Sequence, residues 1–456
     1  MPLEISQLFT GLQGEIIKLV GLFVLAIILF NVGEQTHLFW RRENFKKKLR
    51  WVMLEILIPR ETKRNPLAME QVLSTIHGLR NEANDLAEYY RDGEVTRWFS
   101  IEMLSFGGEI HFYMRLYFKY RALVEAAFYS FYPDIELIEV EDYLSRFPQN
   151  VEDMKSKGYE LWGTEMVLNK DEAYPIKTYP AFEAIDENKE YDPISTFLEV
   201  LGKVKKQEMV GIQLLLEPKT GGWIEEWHKL VSTLKESQSK REAMEAAKAT
   251  MKTSFPGGPL PIFETVRPEK SELDMFAKSL SRSPGETDVL KAVEVNLSKA
   301  AFRTTIRFIY FSPKLMFYDS FARRGLVGAF NQYSALDLNS FRQNFKVSTR
   351  LRFWNWPFLF ADLRNDYRKQ RLLYHYLRWK QPQKQLWAKI LSMHPLNFNL
   401  HSASTVLNVE SIATLFHPPR FFVITAPHIK RVESRKAGPP AGLAIYGDEE
   451  KIDKFL

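Results

Sequence analysis

Trp98-Phe-Ser-Ile-Glu-Met-Leu-Ser-Phe106, Gly107-Gly108, Ile110-His-Phe-Tyr-Met-Arg-Leu-Tyr117 reads as two apolar strands joined by a glycine pair, a hairpin signal. Outward from it, Trp51 to Pro59 is a continuous apolar run of strand length, and Pro66 to Arg80 carries apolar residues at helical spacing. On the far side, Tyr120 to Tyr132 predicts an amphipathic helix and Asp134 to Val140 a short strand. The sum is β-α-β-β-α-β, the ferredoxin-like order, over 51–148.

A second α+β block over 159–234 partly repeats the first, with strands at Leu161 to Leu168 and Met209 to Leu216 and helices at Ile194 to Lys203 and Trp223 to Leu234. Residues 235–285 are rich in Lys, Glu, Ser, Gly and Pro and read as a helical excursion and linker, broken at Phe255-Pro256-Gly257-Gly258-Pro259. A basic α+β domain is expected at 286–400, with a helix at Val289 to Ala300, a strand at Phe302 to Phe311 and a helix at Phe317 to Tyr333; 401–456 form a closing segment. The fold class is therefore α+β, an N-terminal transmembrane helix followed by two or three ferredoxin-like units.

The chain has 456 residues, 45% of them hydrophobic and 26% charged, enough to bury real cores and too apolar for wholesale disorder. It has no cysteine, which removes disulfide scaffolds, zinc ribbons, thiolate-held iron–sulfur clusters and thiol nucleophiles. The net charge of +6 hides opposed stretches: 18 acidic and 6 basic residues over 125–200, against 15 basic and 4 acidic over 301–380. Such lobes either face each other inside the molecule or leave a basic surface for a polyanion.

Residues 16–32 hold one charge, Lys18, and as a helix cover about 25 Å, near the hydrocarbon thickness of a bilayer. Arg41, Arg42, Lys46, Lys47, Lys48 and Arg50 follow in a basic juxtamembrane segment, 33–50, and no second run approaches spanning length. The positive-inside rule then puts the short N-terminus, 1–15, outside and the bulk of the chain in the cytoplasm, with Phe39 and Trp40 at the interface. A buried core helix or a cleaved signal peptide fits less well, because bulky Leu38, Phe39 and Trp40 stand where small cleavage-site residues belong.

The motif search removes the common engines. There is no G-x-x-x-x-G-K-[ST], no G-x-S-x-G and no G-x-G-x-x-G after a strand. Glu-x-x-His occurs at Glu34/His37 and Glu225/His228, a two-ligand spacing that needs bridging carboxylates on partner helices to hold metal and is read as coincidental. Five of the nine histidines lie after residue 370, at separations matching no zinc pattern. No catalytic residue, cofactor or metal is expected. Between Leu351 and Lys380, Arg352, Arg364, Arg368, Lys369, Arg371 and Arg378 interleave with aromatic residues. Cations beside aromatics suit single-stranded nucleic acid, an aromatic helix face packed in a core with arginines outside, or anionic lipid; core packing ranks first.

The closing segment, Asn408-Val-Glu-Ser-Ile-Ala-Thr-Leu-Phe-His-Pro-Pro419 followed by Pro427-His-Ile-Lys-Arg-Val-Glu-Ser-Arg-Lys-Ala-Gly-Pro-Pro-Ala-Gly-Leu443, resembles the region just before the motor in membrane-anchored, HerA/FtsK-like ATPases related to type IV secretion and conjugative DNA transfer, common in the Patescibacteria. Leu54-Glu-Ile-Leu-Ile-Pro-Arg-Glu61, Ala68-Met-Glu-Gln-Val-Leu73 with His77-Gly78, Thr178-Tyr-Pro-Ala-Phe-Glu183 and Asp192-Pro-Ile194 look like earlier signatures of the same region. These 456 residues contain no P-loop. The resemblance implies a noncatalytic platform or adaptor at the cytoplasmic membrane for a separately encoded DNA-translocating P-loop ATPase, oligomeric if it follows a motor ring. Phe416, His417, Arg431, Glu433 and Arg435 are the expected partner contacts. The alternative is a membrane-tethered nucleic-acid binder using the basic lobe 301–380, with DNA on the six cations named above.

Overall fold

The computed structural model describes residues 2–59, 62, 64–83, 85–182, 191–219, 223–235, 284–318, 321–351, 359–383, 389, 397 and 401–420. The first part of the chain folds as α1 (Pro2–Lys48), β1 (Trp51–Leu57), α2 (Pro66–His77), β2 (Phe99–Phe106), β3 (Glu109–Tyr117), α3 (Arg121–Phe131) and β4 (Glu136–Val140). Gly107 and Gly108 take φ of +62° and +96°, the left-handed pair that a two-residue hairpin turn needs and that side chains resist. The strands lie in the order β4-β1-β3-β2, every pair antiparallel, which is the ferredoxin-like arrangement expected from 51–148.

The chain continues through α4 (Val151–Ser156), β5 (Tyr159–Leu168), α5 (Ser195–Gly202), β6 (Met209–Pro218), α6 (Pro284–Ser298), β7 (Ala301–Pro313), α7 (Val327–Asn331), β8 (Phe341–Gln343), α8 (Ala361–Leu377), β9 (Thr405–Asn408) and α9 (Val409–Leu415). The units expected at 159–234 and 286–400 are here one unit. β5 pairs with β7, not with β6, and β7 lies between the two, so neither segment closes a sheet without the other. The order β6-β7-β5-β8 repeats that of the first unit, read from its second strand to its fourth. The long connection between β6 and β7 occupies the position of the first unit's glycine turn. The helical excursion expected at 235–285 lies in that connection, outside the described residues but for 235, 284 and 285.

The two units share one sheet. β2 pairs with β6 over eight residues, from Phe99↔Leu216 to Phe106↔Met209. An open apolar edge strand is a template for unwanted pairing, and here each unit's edge satisfies the other's. β9 then pairs with the start of β7, Ala301 to Thr304, beyond the reach of β5.

Helices cover both faces, which is why so many strands read as unbroken apolar runs rather than alternating ones. On one face α2, α3, α5, α7 and α9 pack on Leu54, Ile101, Phe112, Ile212 and Phe308. On the other, α4 and α8 pack on Met53, Leu104, Leu161, Leu215 and Ile309. α8 comes so close that a Cβ on Gly211 of β6 would run into the Tyr376 hydroxyl and lie 2.9 Å from its ring carbon Cζ.

Gly211→Ala should therefore cost about 1–3 kcal/mol of stability through overpacking. Tyr376→Phe in the same background should return part of the loss, since the hydroxyl is the nearest atom. Urea unfolding of the two single variants and the double variant measures the coupling, and strictly additive effects would refute the clash.

Candidate functional site

Two signatures distant in sequence meet in the interior. Asn408 caps α9 by accepting from the Ser411 backbone N–H at 2.7 Å, and Phe416 ends the helix before Pro418-Pro419. This turn inserts His417, fully buried, against Asp192 of the Asp-Pro-Ile signature: Nε2 lies 2.7 Å from Asp192 Oδ1 and Nδ1 lies 2.7 Å from the Ala413 carbonyl. Asp192 also accepts from the backbone N–H groups of Ile194 at 3.1 Å and Arg420 at 3.0 Å. Burial alone would push its carboxyl up, but His417 and these donors outweigh it and hold the carboxyl below its ordinary value.

The other signatures converge on the same layer. The Tyr179 backbone N–H donates to Thr414 Oγ1 at 2.9 Å, and its hydroxyl donates to Glu70 of α2 at 2.9 Å. Lys299, between α6 and β7, bridges Glu70 at 2.7 Å and Glu410 of α9. Phe416 packs on Phe112 in the core, with ring centroids 5.7 Å apart. Phe416 and His417, expected as partner contacts, are thus wholly buried, because the helix they terminate is needed to close this face of the sheet. Arg431, Glu433 and Arg435 lie outside the described residues.

The basic stretch also turns inward. Arg364 and Arg368, expected on a nucleic-acid surface, are fully buried, while Tyr374 of the same helix is exposed. Arg368 donates to the carbonyls of Phe345, Lys346 and Ser348 at 3.1, 2.8 and 2.8 Å, gathering the backbone of that turn around one guanidinium. Burial, with Arg364 nearby, lowers its guanidinium to about 10, still charged at neutral pH. Lys369 pairs with Glu160 at 2.6 Å, Arg371 is half-buried and Arg378 is exposed; Arg352 lies outside the described residues. Pairs such as Lys369–Glu160 and Arg307–Glu165 join the basic stretch to the acidic one, so the opposed charges meet partly inside the molecule. α8 does pack in the core, but with two arginines facing in.

A third feature escaped the sequence reading. Glu55, Tyr113, Glu102, Gln213, Arg307 and Glu165 occupy registered positions on β1, β3, β2, β6, β7 and β5, a polar row across the face beneath α8. Glu55 meets His111 Nδ1 at 2.7 Å, and Arg307 reaches Glu165 at 2.9 Å and the carbonyls of His375 and Lys380 at 3.1 and 3.0 Å. Glu102 accepts from Ser100, Tyr143 and, at 2.5 Å, the Trp379 indole N–H; burial nonetheless raises its carboxyl above the ordinary value. The legible signal was a polar residue placed inside each of these largely apolar strands. The Glu-x-x-His pairs serve elsewhere. Glu34 accepts from the Tyr90 hydroxyl at 2.8 Å and His37 meets the Tyr90 carbonyl at 3.1 Å, while Glu225 and His228 are exposed on the helix over 223–235. Among the described residues no group of three or more His, Asp or Glu is placed to hold a metal ion.

Asp192→Asn would leave the buried His417 without its carboxylate partner, at a cost of about 3–5 kcal/mol. Because the folded carboxyl sits below its unfolded value of about 3.9, its contribution is full above that pH and vanishes as pH falls through the lower folded value. Urea titrations from neutral pH down through pH 3 should show a smaller acid-driven loss in the variant than in the parent; parallel curves would refute the pairing.

Among curated proteins, none matches the chain. The family described as "Domain of unknown function (DUF8128)" matches residues 38–353, from Leu38 in the second half of α1 to just past β8. That stretch takes in both halves of the sheet and exceeds half of the sequence, so the chain belongs to the DUF8128 family.

Proposed function

We propose that the protein is a noncatalytic, membrane-anchored platform for a separately encoded DNA-translocating P-loop ATPase of the secretion or conjugation type. The observation that carries this reading is α1. Its one uninterrupted helix is long and apolar enough to cross a membrane, and the apolar stretch is fully outside the core, with Leu19, Phe23 and Phe30 among its exposed residues. The same helix then docks on the head. Leu38 is buried, Arg42 lies over the Tyr89 ring at 4.9 Å, and Glu43 pairs with Lys380 at 2.7 Å. A helix without a hinge transmits orientation as well as position, so the sheet would stand at a fixed attitude to the bilayer, as a platform requires.

Exposed Lys47, Lys48 and Arg50 on the head side favour a cytoplasmic head and an external N-terminus. The resemblance of the segment after Arg420 to a motor-adjacent region supports the choice of partner. With Phe416 and His417 buried, the contact falls to Arg431, Glu433 and Arg435. The nucleic-acid reading loses support because Arg364 and Arg368, at its centre, face the core.

The full-length protein should resist carbonate extraction from membranes and, purified in detergent, should show no ATP turnover. Affinity capture from solubilised membranes should recover a P-loop ATPase, identified by mass spectrometry, and Arg431→Glu with Arg435→Glu should abolish the capture without lowering Tm. ATP turnover by the pure protein, or capture that ignores both reversals, would overturn the proposal.

A further inference from the structure

Where α1 ends against the head, a cavity of about 790 Å³ opens between its last turn, the starts of β1 and the end of β3, the turn at Asp142–Ser145 and the end of α8. Its size is that of a small-molecule site, typically about 300–1,000 Å³. The chemistry of its wall is uneven. Glu43 is already held by Lys46 at 3.1 Å and Lys380 at 2.7 Å, and the Asp142 carboxylate accepts from the Leu144 backbone N–H at 2.9 Å. Three more cations face the cavity, Lys47, Arg115 and Arg378. Among the described residues none of the three has a carboxylate within ion-pair distance.

Arg115 is the built part of the site. Its guanidinium lies between two indoles, 4.1 Å from the Trp51 ring centroid and 3.9 Å from that of Trp379. This sandwich fixes the plane of the fork and leaves its N–H edges for a ligand. Trp379 holds its place at a conformational cost, since its φ of +46° is one that side chains rarely adopt. The indole N–H bond to Glu102 anchors it there, so the buried polar row beneath α8 positions a wall of the cavity. Burial pulls Arg115 down to about 10, and Glu102 and Asp142 oppose the shift; the group remains a cation at neutral pH.

We propose that this cavity binds a soluble phosphate-bearing compound, its phosphate held by Arg115, Lys47 and Arg378. A planar fork plus two flexible ammonium or guanidinium groups is the arrangement that suits phosphate oxygens. The same chemistry could come from a phospholipid headgroup, and distance decides between them. Lys46 is 14 residues beyond Val32, about 21 Å along α1 at a rise of 1.5 Å per residue. The headgroup layer adds only about 5–8 Å to each side of the hydrocarbon core, and a tilt of about 20° shortens the helix's projection little. The cavity therefore stands clear of the lipid. Only this choice of source rests on the membrane-anchored reading of α1; the phosphate chemistry does not.

The test is calorimetric titration of the full-length protein with inorganic pyrophosphate, in nonionic detergent and in nanodiscs of phosphatidylcholine or of phosphatidylglycerol, at matched ionic strength. Saturable binding is expected, equal in all three settings, and weakened at least about tenfold in Lys47→Gln/Arg378→Gln, whose exposed positions leave Tm unchanged. Arg115→Lys should weaken it further, since a point charge cannot reproduce the fork. No saturable binding in detergent, or equal binding by parent and double variant, would overturn the site itself. Binding in detergent and phosphatidylcholine that disappears only in phosphatidylglycerol would overturn the soluble ligand and identify headgroups as the occupant. The detergent arm needs no bilayer, so failure there is distinct from failure of the membrane anchor.

Discussion

Pairing of β2 with β6 is the constraint on which the rest of the molecule depends. Each ferredoxin-like half ends in a long strand with apolar residues on both faces, and an unpartnered strand of that kind would leave a row of backbone N–H and C=O groups open beside a sticky surface. Joined edge to edge, the two halves make one antiparallel sheet in which the second half repeats the order of the first. The long connection in the second half is tolerated because it replaces a hairpin turn at the end of two strands, where added chain leaves the ladder between β6 and β7 intact.

Joining the halves also aligns the polar row. Glu102 and Gln213 are neighbours only because β2 and β6 pair in this register, and Arg307 and Glu165 extend the row outward. A slip by one residue would turn these groups to the other face and bury charge against α2 and α5, so the row disfavours alternative registers as well as stabilising the native one. It also seats α8. Arg307 holds carbonyls at its end, Glu102 holds Trp379, and the missing side chain at Gly211 lets Tyr376 approach. The opposite face is closed by a different device, the turn after α9 that buries His417 on Asp192. Each face is thus locked by segments that come late in the chain.

These locks give α1 something rigid to bear on. α1 touches the π-turn Glu88–Asp92 through Glu34, His37 and Arg42, and it reaches the end of α8 through Glu43 and Lys380. The cationic cavity lies at that meeting point, so its shape depends on α1, the sheet and α8 together. A ligand there would stiffen the joint between α1 and the sheet.

Local pattern was enough to locate most elements. The glycine hairpin, the apolar strands, the amphipathic helices from Pro66 and Arg121 and the exposed apolar half of α1 are each specified by residues close in sequence, through φ preferences, periodicity and the cost of apolar surface in water. The same pattern could not say that 159–234 and 286–400 form one unit, because β7 lies between β5 and β6 through pairings across 84 to 154 residues that no local period encodes. It could not say which way Arg364 and Arg368 point, since a helix with cations and aromatics on several faces turns inward whichever groups find partners there, for Arg368 the carbonyls of the turn at Phe345 to Ser348. Nor could it bring His417 to Asp192 or Arg115 between Trp51 and Trp379. By itself, then, the sequence determined the secondary structure, the α+β class and the apolar stem, all short-range properties of the chain. Which charges are buried, which meet one another and which remain for a ligand was decided only by the tertiary structure, because the energy of a charge depends on the dielectric and the partners that folding places around it.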